Sequence, residues 1–231
     1  MANIAVIPAR GGSKRIPRKN IKEFCGKPMI AYSIEAALKS ECFDRVIVST
    51  DDMEIAAIAI AYGAEVPFIR PANLSEDFAI VTDTVIHAIE QMETQFEISI
   101  DHACLIYATA PLIDELYISQ GLQKLSDSNK SFAIGVTSYA FPIQRALSIQ
   151  ASEIKKLCDH KETRSQDLEE YYHDAAHFCW GSKKAFIEKR DFFSSIAIPI
   201  IIPRSLVQDI DTPEDWEFAE LLYKAKNSAG R

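Results

Sequence analysis

The chain has 231 residues, 48% of them hydrophobic, and sets 25 lysines and arginines against 33 aspartates and glutamates for a formal net charge of −8. That length and apolar content suit a single α/β domain with a real core. The acidic balance argues against nucleic acid or an anionic membrane surface as a partner, so neither is expected.

A strand is predicted within three residues of Met1, and the purest apolar stretch, 196–202, is interrupted by Pro199. It falls far short of the ~18 residues of a membrane helix, so a cytoplasmic protein is expected. Cys25, Cys42, Cys104, Cys158 and Cys179 are scattered without a C-x-x-C spacing. Neither a disulfide framework nor a zinc site follows from that pattern, and Cys104 reads as a packing residue in an apolar run.

In chain order, an apolar β-branched strand over 3–9 empties into a loop, 10–20, that holds Arg10, Lys14, Arg15, Arg18 and Lys19 and no acid. Gly11 and Gly12 permit positive φ and close approach of a ligand, while Pro8 and Pro17 stiffen the path. Backbone amides and positive charge converge where a strand ends, which makes a polyphosphate cradle. The alternative is a solvated basic turn. The loop matches neither G-x-x-x-x-G-K-[ST] nor G-x-G-x-x-G.

A helix is predicted over 28–40 with Pro28 near its first turn and Ile30, Ile34, Ala37 and Leu38 on one face, then a strand over 45–49. Asp51 and Asp52 cap a second helix, 53–62, which Gly63 ends before a short strand at 66–69. A polar connection, 70–83, leads to a helix reaching Met92, a strand over 102–107, a helix over 114–125 and a strand over 132–137. This βαβ alternation predicts an α/β fold: a Rossmann-like, mainly parallel sheet with helices on both faces and ligands at the carboxyl ends of the strands.

Beyond it, strand-like 145–149 enters the polar stretch 152–174, which lacks a core pattern and reads as a flap or arm inserted at about 140–175 of a single domain spanning 1–231. A strand at 177–180, a short helix at 183–188, the run 196–202, an extended piece at 207–211 and a helix over 213–226 complete the chain. Thr212 caps the last helix, Pro213 takes its first position, and Asp215 is in reach of a capping-box contact. Trp180, Trp216, Phe178 and Phe186 read as core, and His87, His102 and His160 show no ligand spacing.

In an extended segment Asp209 and Asp211 share a face while Ile210 turns toward the core. Two carboxylates that close repel each other unless a divalent cation lies between them, which makes the pair a candidate Mg²⁺ site. The alternative is an ordinary helix lead-in with Asp211 or Thr212 capping. Cradle and acid pair together point to nucleotidyl or phosphoryl transfer.

The segments 7–14, 16–21, 26–28 and 49–51, with 164–168, His173-Asp174 and 208–215, resemble the signature of the acylneuraminate cytidylyltransferases, whose fold is of the nucleotide-diphospho-sugar transferase type. The resemblance covers nearly the whole chain. It implies CTP and a nonulosonic acid as substrates, CMP-sugar and pyrophosphate as products, Mg²⁺ as cofactor, and a homodimer in which the arm crosses the two-fold to complete the partner's sugar site. Arg15 stands where sialic acid enzymes usually have glycine, and Tyr107-Ala108-Thr109-Ala110-Pro111 replaces the family's Q-P-T-S-P. Ser165 replaces the second arginine of R-R-Q. These departures resemble the branch acting on pseudaminic acid; transfer to N-acetylneuraminate, legionaminate or 3-deoxy-octulosonate is the alternative, and a non-catalytic nucleotide-binding protein a more distant one.

Carried onto this chain, the resemblance implies that Ala9, Arg10, Gly11, Gly12, Ser13, Lys14, Lys19, Asn20 and Arg70 bind CTP, with pyrimidine choice near Ala9. Arg10, Lys19, Asp209 and Asp211 carry the catalysis, the last two as metal ligands. Ala108, Thr109, Arg145, Arg164, Gln166 and His173 take the sugar acid, an arginine fork suiting its carboxylate. For His173 a packed or surface imidazole remains the alternative.

Overall fold

A computed structural model describes residues 2–76, 80–157 and 164–229. Its strands are β1 (Ala2–Pro8), β2 (Glu23–Phe24), β3 (Lys27–Pro28), β4 (Arg45–Ser49), β5 (Ile100–Ile106), β6 (Phe132–Ser138), β7 (Leu147–Gln150), β8 (Glu153–Lys156), β9 (Tyr172–Ser182) and β10 (Ala197–Ile201). The helices are α1 (Met29–Lys39), α2 (Met53–Ala61), α3 (Val81–Phe96), α4 (Glu115–Ser126), α5 (Lys183–Ile187) and α6 (Pro213–Ala229).

Six strands form the main sheet in the order β10-β6-β9-β5-β1-β4. β1 pairs in parallel with β4 and β5, and β10 with β6, whereas β9 runs antiparallel to both β5 and β6. The period-2 alternation of β1 shows why the sheet is covered twice. Ala5 and Ile7 join Ile30, Ile34, Ile55 and Ile118 on one face, and Ile4 and Val6 join Val85, Ile89, Met92 and Phe186 on the other. Thus α1, α2 and α4 cover one side and α3 and α5 the other. A third cluster of Phe24, Met29, Tyr32, Ile210, Trp216 and Ala219 seats α6 against the small β2–β3 hairpin.

Several local expectations shift. Helix α1 begins at Met29, one residue later than expected, with Pro28 as its N-cap beside the first turn. Residues 66–69 form no strand, only the isolated bridges Ile47↔Glu65 and Thr50↔Ile69, because Pro67 removes a ladder donor between them. The piece before α6 leaves a 3₁₀ turn at Arg204–Leu206 with Val207 extended, as expected. The segment from 145 begins as a 3₁₀ turn, Ile143–Arg145, before β7 pairs with β8 outside the main sheet. Residues 172–175 of the expected arm belong to β9; Cys158 and His160 lie outside the described residues.

The caps follow the sequence more closely. Asp52 accepts hydrogen bonds from the amides of Glu54 and Ile55 at the start of α2. At α6 the box is reciprocal: Asp215 accepts from the Thr212 amide at 2.7 Å, and the Asp215 amide donates to Thr212 Oγ1 at 3.2 Å.

Trp180, Phe178 and Phe186 are fully buried. Gly181, between them and Phe132, is where backbone and rings come closest, since a Cβ there would lie 2.6 Å from the Phe132 ring and 2.7 Å from Phe186. Gly181→Ala is therefore expected to destabilise the fold by about 1–3 kcal/mol through overpacking. The check is the urea unfolding midpoint, and an unchanged midpoint would show that the rings can yield.

His177 on β9 is 2% exposed. Burial, reinforced by Lys226, holds its imidazole down at about 4 against an ordinary value of 6.5. Because the folded pKa lies below the unfolded one, the stabilisation is complete above about pH 6.5 and is lost as the pH falls toward 4, at up to roughly 1.4 kcal/mol per pH unit. His177→Gln should flatten the fall in stability between pH 7 and pH 5; parallel curves for the two proteins would contradict this.

Candidate active site

The loop after β1 is held down by the start of α2. Asp51 Oδ1 accepts from the Gly11 amide at 3.0 Å. Asp52, besides capping α2, pairs with Arg18, which also reaches Glu54. The Arg18 guanidinium drives the Asp52 carboxyl down to about 2. Neither Gly11 nor Gly12 adopts positive φ; among the described glycines only Gly26 and Gly63 do. Close approach is the reason for Gly11, where a Cβ would lie 2.6 Å from Asp52 Oδ2, while Gly12 has open space around it. Asn20 closes the loop from inside, its Nδ2 donating to the Arg10 carbonyl at 2.9 Å.

Above this frame lies a cavity of ≈ 510 Å³, a nucleotide-sized volume, with Arg10, Ser13, Lys14, Lys19, Asn20, Arg70, Ala108 and Thr109 among its lining residues. Arg70 is 4% exposed, with Nε on Ser75 Oγ at 3.1 Å and its guanidinium 3.9 Å from Asp51. Burial lowers its pKa, and the charge of Arg10 does so further. An arginine nonetheless stays protonated. Asp51 offsets part of that lowering, and two guanidinium groups lining one open cavity are suited to an anion.

Lys19 carries the cavity over to the late acids. Its Nζ donates to the Ile210 carbonyl at 2.5 Å and stands 3.5 Å from Asp211 Oδ1. Ile210 is fully buried, so Asp209 and Asp211 flank an anchored side chain as the alternation requires. Partial burial raises the Asp209 carboxyl although its side chain still reaches solvent, and the charge of Asp211 raises it further. Repulsion of that kind fits a carboxylate pair made for a divalent cation. Among the described residues no cluster of three or more acidic, histidine or cysteine side chains is arranged around a metal position.

Two residues without a predicted role belong here. The Tyr107 hydroxyl and the Asp174 carboxyl influence each other's titration, and burial raises both groups, with the charge of Asp209 adding to each. Asp174 enters from the start of β9 because that strand runs antiparallel to β5. Their signal was adjacency: Tyr107 precedes Ala108, and Asp174 follows His173.

The sugar-acid candidates divide. Ala108 and Thr109 line the first cavity, while Ala9, fully buried behind it, donates its amide to the Ser49 carbonyl at 2.9 Å. Gln166 lines a second hollow of ≈ 380 Å³ formed with Tyr139, Phe141 and Glu169. Arg145 and Arg164 are exposed, and His173 sits on β9 with Nδ1 2.8 Å from the Asp174 carbonyl and its ring against Tyr139. A single subunit thus joins the nucleotide candidates and the acid pair, but not the arm residues.

The family model for Cytidylyltransferase matches residues 4–220. The chain belongs to the cytidylyltransferase family. It is 46% identical over 231 residues, 99% of each chain, to the pseudaminic acid cytidylyltransferase of Campylobacter jejuni serotype O:23/36. It is 33% identical, again over 99% of both chains, to the CMP-N,N'-diacetyllegionaminic acid synthase of Legionella pneumophila. The fold of CMP:2-keto-3-deoxy-manno-octonic acid synthetase complexed with CTP matches with a TM-score of 0.72 at 18% identity, covering 98% of this chain and all of that one. The expected fold, a mostly parallel sheet covered by helices, and the expected nucleotidyltransferase activity are both those of this cytidylyltransferase.

Gly11→Ala should push Asp52 off Arg18 and loosen the loop of the cytidylyltransferase. CTP affinity measured calorimetrically is expected to fall by at least roughly tenfold, the loss of one charge-assisted contact. Unchanged affinity would mean that the Gly11–Asp52 contact does not shape the cradle.

Proposed function

We propose that this cytidylyltransferase joins CMP from CTP to a nine-carbon 2-keto sugar acid of the pseudaminic type and releases pyrophosphate. The observation that carries the reading is the single cavity in which the cationic loop faces Ala108 and Thr109 while Lys19 reaches from it to Asp211. Relatives named for pseudaminic acid support the choice of sugar. An alanine and a threonine in place of a carboxamide suit a less polar, diamino substrate.

In this reading the β- and γ-phosphates lie against the amides of Gly11 to Ser13, with Arg10, Lys14 and Lys19 neutralising them. Arg70 and Asn20 fix the nucleoside, and the base edge meets the backbone near Ala9. The anomeric oxygen of the sugar bonds to the α-phosphorus as the bond to the bridging oxygen breaks and pyrophosphate leaves; the residues named contribute positioning and charge. Asp209 and Asp211 would hold Mg²⁺, and their mutual repulsion fits them to do so. Once bound, the ion neutralises phosphate charge and acidifies the attacking hydroxyl.

Arg145, Arg164, Gln166 and His173 enter the reading through a homodimer. The β7–β8 hairpin exposes Leu147, Ile149, Ile154 and Leu157, which is the composition of a surface another subunit covers. We place the arm across a two-fold, where its arginines meet the carboxylate of the sugar in the partner's site. No helix among the described residues is long and apolar enough to cross a membrane, and the proposed location is the cytoplasm.

The test is a panel of nonulosonic acids supplied with CTP, read as pyrophosphate release. Pseudaminic acid is expected to turn over fastest; exclusive turnover of N-acetylneuraminate would reject the assignment. In the same assay Asp211→Ala should lose at least roughly 10²-fold in kcat, the scale of a lost electrostatic stabiliser, while CTP binding is largely retained. Unaltered release would remove Asp211 from the chemistry.

A further inference from the structure

Arg15 belongs to two places at once. It lines the nucleotide cavity, and its guanidinium donates to Asp211 Oδ1 at 2.8 Å. That oxygen also faces Lys19 Nζ at 3.5 Å. The two cations are not equivalent. Lys19 is 18% exposed and tied to the Ile210 carbonyl, so it stays where it is. Arg15 is 66% exposed, and Asp211 is the one carboxylate with which its side chain forms an ion pair among the described residues. Such an exposed pair is weak and its arginine is free to swing.

We infer that Arg15 is a latch on the carboxylate pair: with no nucleotide bound it occupies Asp211, and an arriving triphosphate draws it into the cavity and opens the pair to a divalent cation. The inference rests on the metal reading of Asp209 and Asp211 given above. A cation entering the nucleotide-free site must displace a guanidinium of like sign from the oxygen it needs. A triphosphate gives that guanidinium a stronger anion within the cavity Arg15 already lines, so its departure costs little once the nucleotide is present. Nucleotide and cation therefore assist each other's binding by the same factor, as linkage requires, and the nucleotide loads first. Arg15 is a positioning residue in this scheme. Its side chain controls access to Asp211 and takes no part in bond making.

The test is direct Mn²⁺ binding to the nucleotide-free full chain, followed by the loss of the free-ion electron paramagnetic resonance signal, so that no turnover is involved. Arg15→Ala is expected to bind Mn²⁺ about two- to fivefold tighter than the parent, the range set by an exposed ion pair. Arg15→Lys should return the affinity toward that of the parent. Equal or weaker binding by Arg15→Ala overturns the latch, as does an Arg15→Lys protein indistinguishable from Arg15→Ala. Asp211→Asn in the Arg15→Ala background separates the two layers of the argument. Weakened binding there upholds the metal site on which the latch acts, and unchanged binding takes the metal reading down and the latch with it. Because Arg15 is 66% exposed, its variants are expected to keep the parent's thermal midpoint.

Discussion

Five positive side chains within eleven residues are a repulsive arrangement, and the site of this cytidylyltransferase depends on how that repulsion is contained. Two unit charges 4 Å apart near a protein surface interact with about 4 kcal/mol, enough to splay an unsupported loop. Asp51 and Asp52 supply the restraint. One accepts the Gly11 amide and faces Arg70; the other pairs with Arg18 and caps α2. The loop is thereby fastened to a helix start through its rim, and the faces of Arg10, Ser13 and Lys14 are left on the cavity. The absence of a side chain on Gly11 is what lets the rim come down onto Asp52.

The second constraint is the direction of β9. A sheet wholly parallel from β10 to β4 would place only strand ends of one kind beside β5. The antiparallel insertion of β9 brings the start of a strand there, and with it Asp174 next to Tyr107. The acidic side of the site is accordingly built from residues 174 and 209–211, and the basic side from 10–20 and 70. Lys19, with its amine on the Ile210 carbonyl, crosses from one to the other. Charge separation across one crevice suits a reaction in which a polyanion must be held while an oxygen nucleophile approaches it.

Most elements were legible because the local code and the tertiary outcome agreed. The β1 alternation, the Asp52 and Thr212 caps and the Gly63 stop each depend on residues within a few positions of one another. Residues 66–69 have strand-like composition, but a strand exists only where a neighbour accepts its ladder, and Pro67 denied them one; residues 145–149 likewise open with a 3₁₀ turn before the strand begins. The same limit hid the role of Asp174: nothing nearby in sequence announces that its partners are Tyr107 and Asp209, 67 and 35 positions earlier and later by their own numbering.

From the sequence alone came the kinds of groups and their local spacing: a strand that ends in a cationic glycine loop, a carboxylate pair astride a buried isoleucine, and a chain whose alternating elements require a doubly covered sheet. These depend on periodicity, capping and charge, which act over a few residues. Tertiary structure decided which of those groups meet. It brought Lys19 to Asp211 across 192 positions, set Arg15 on the same carboxylate, and left Arg145, Arg164 and Gln166 off the cavity beside the cationic loop. Such meetings follow from strand order and direction, which are set by how whole faces bury against one another.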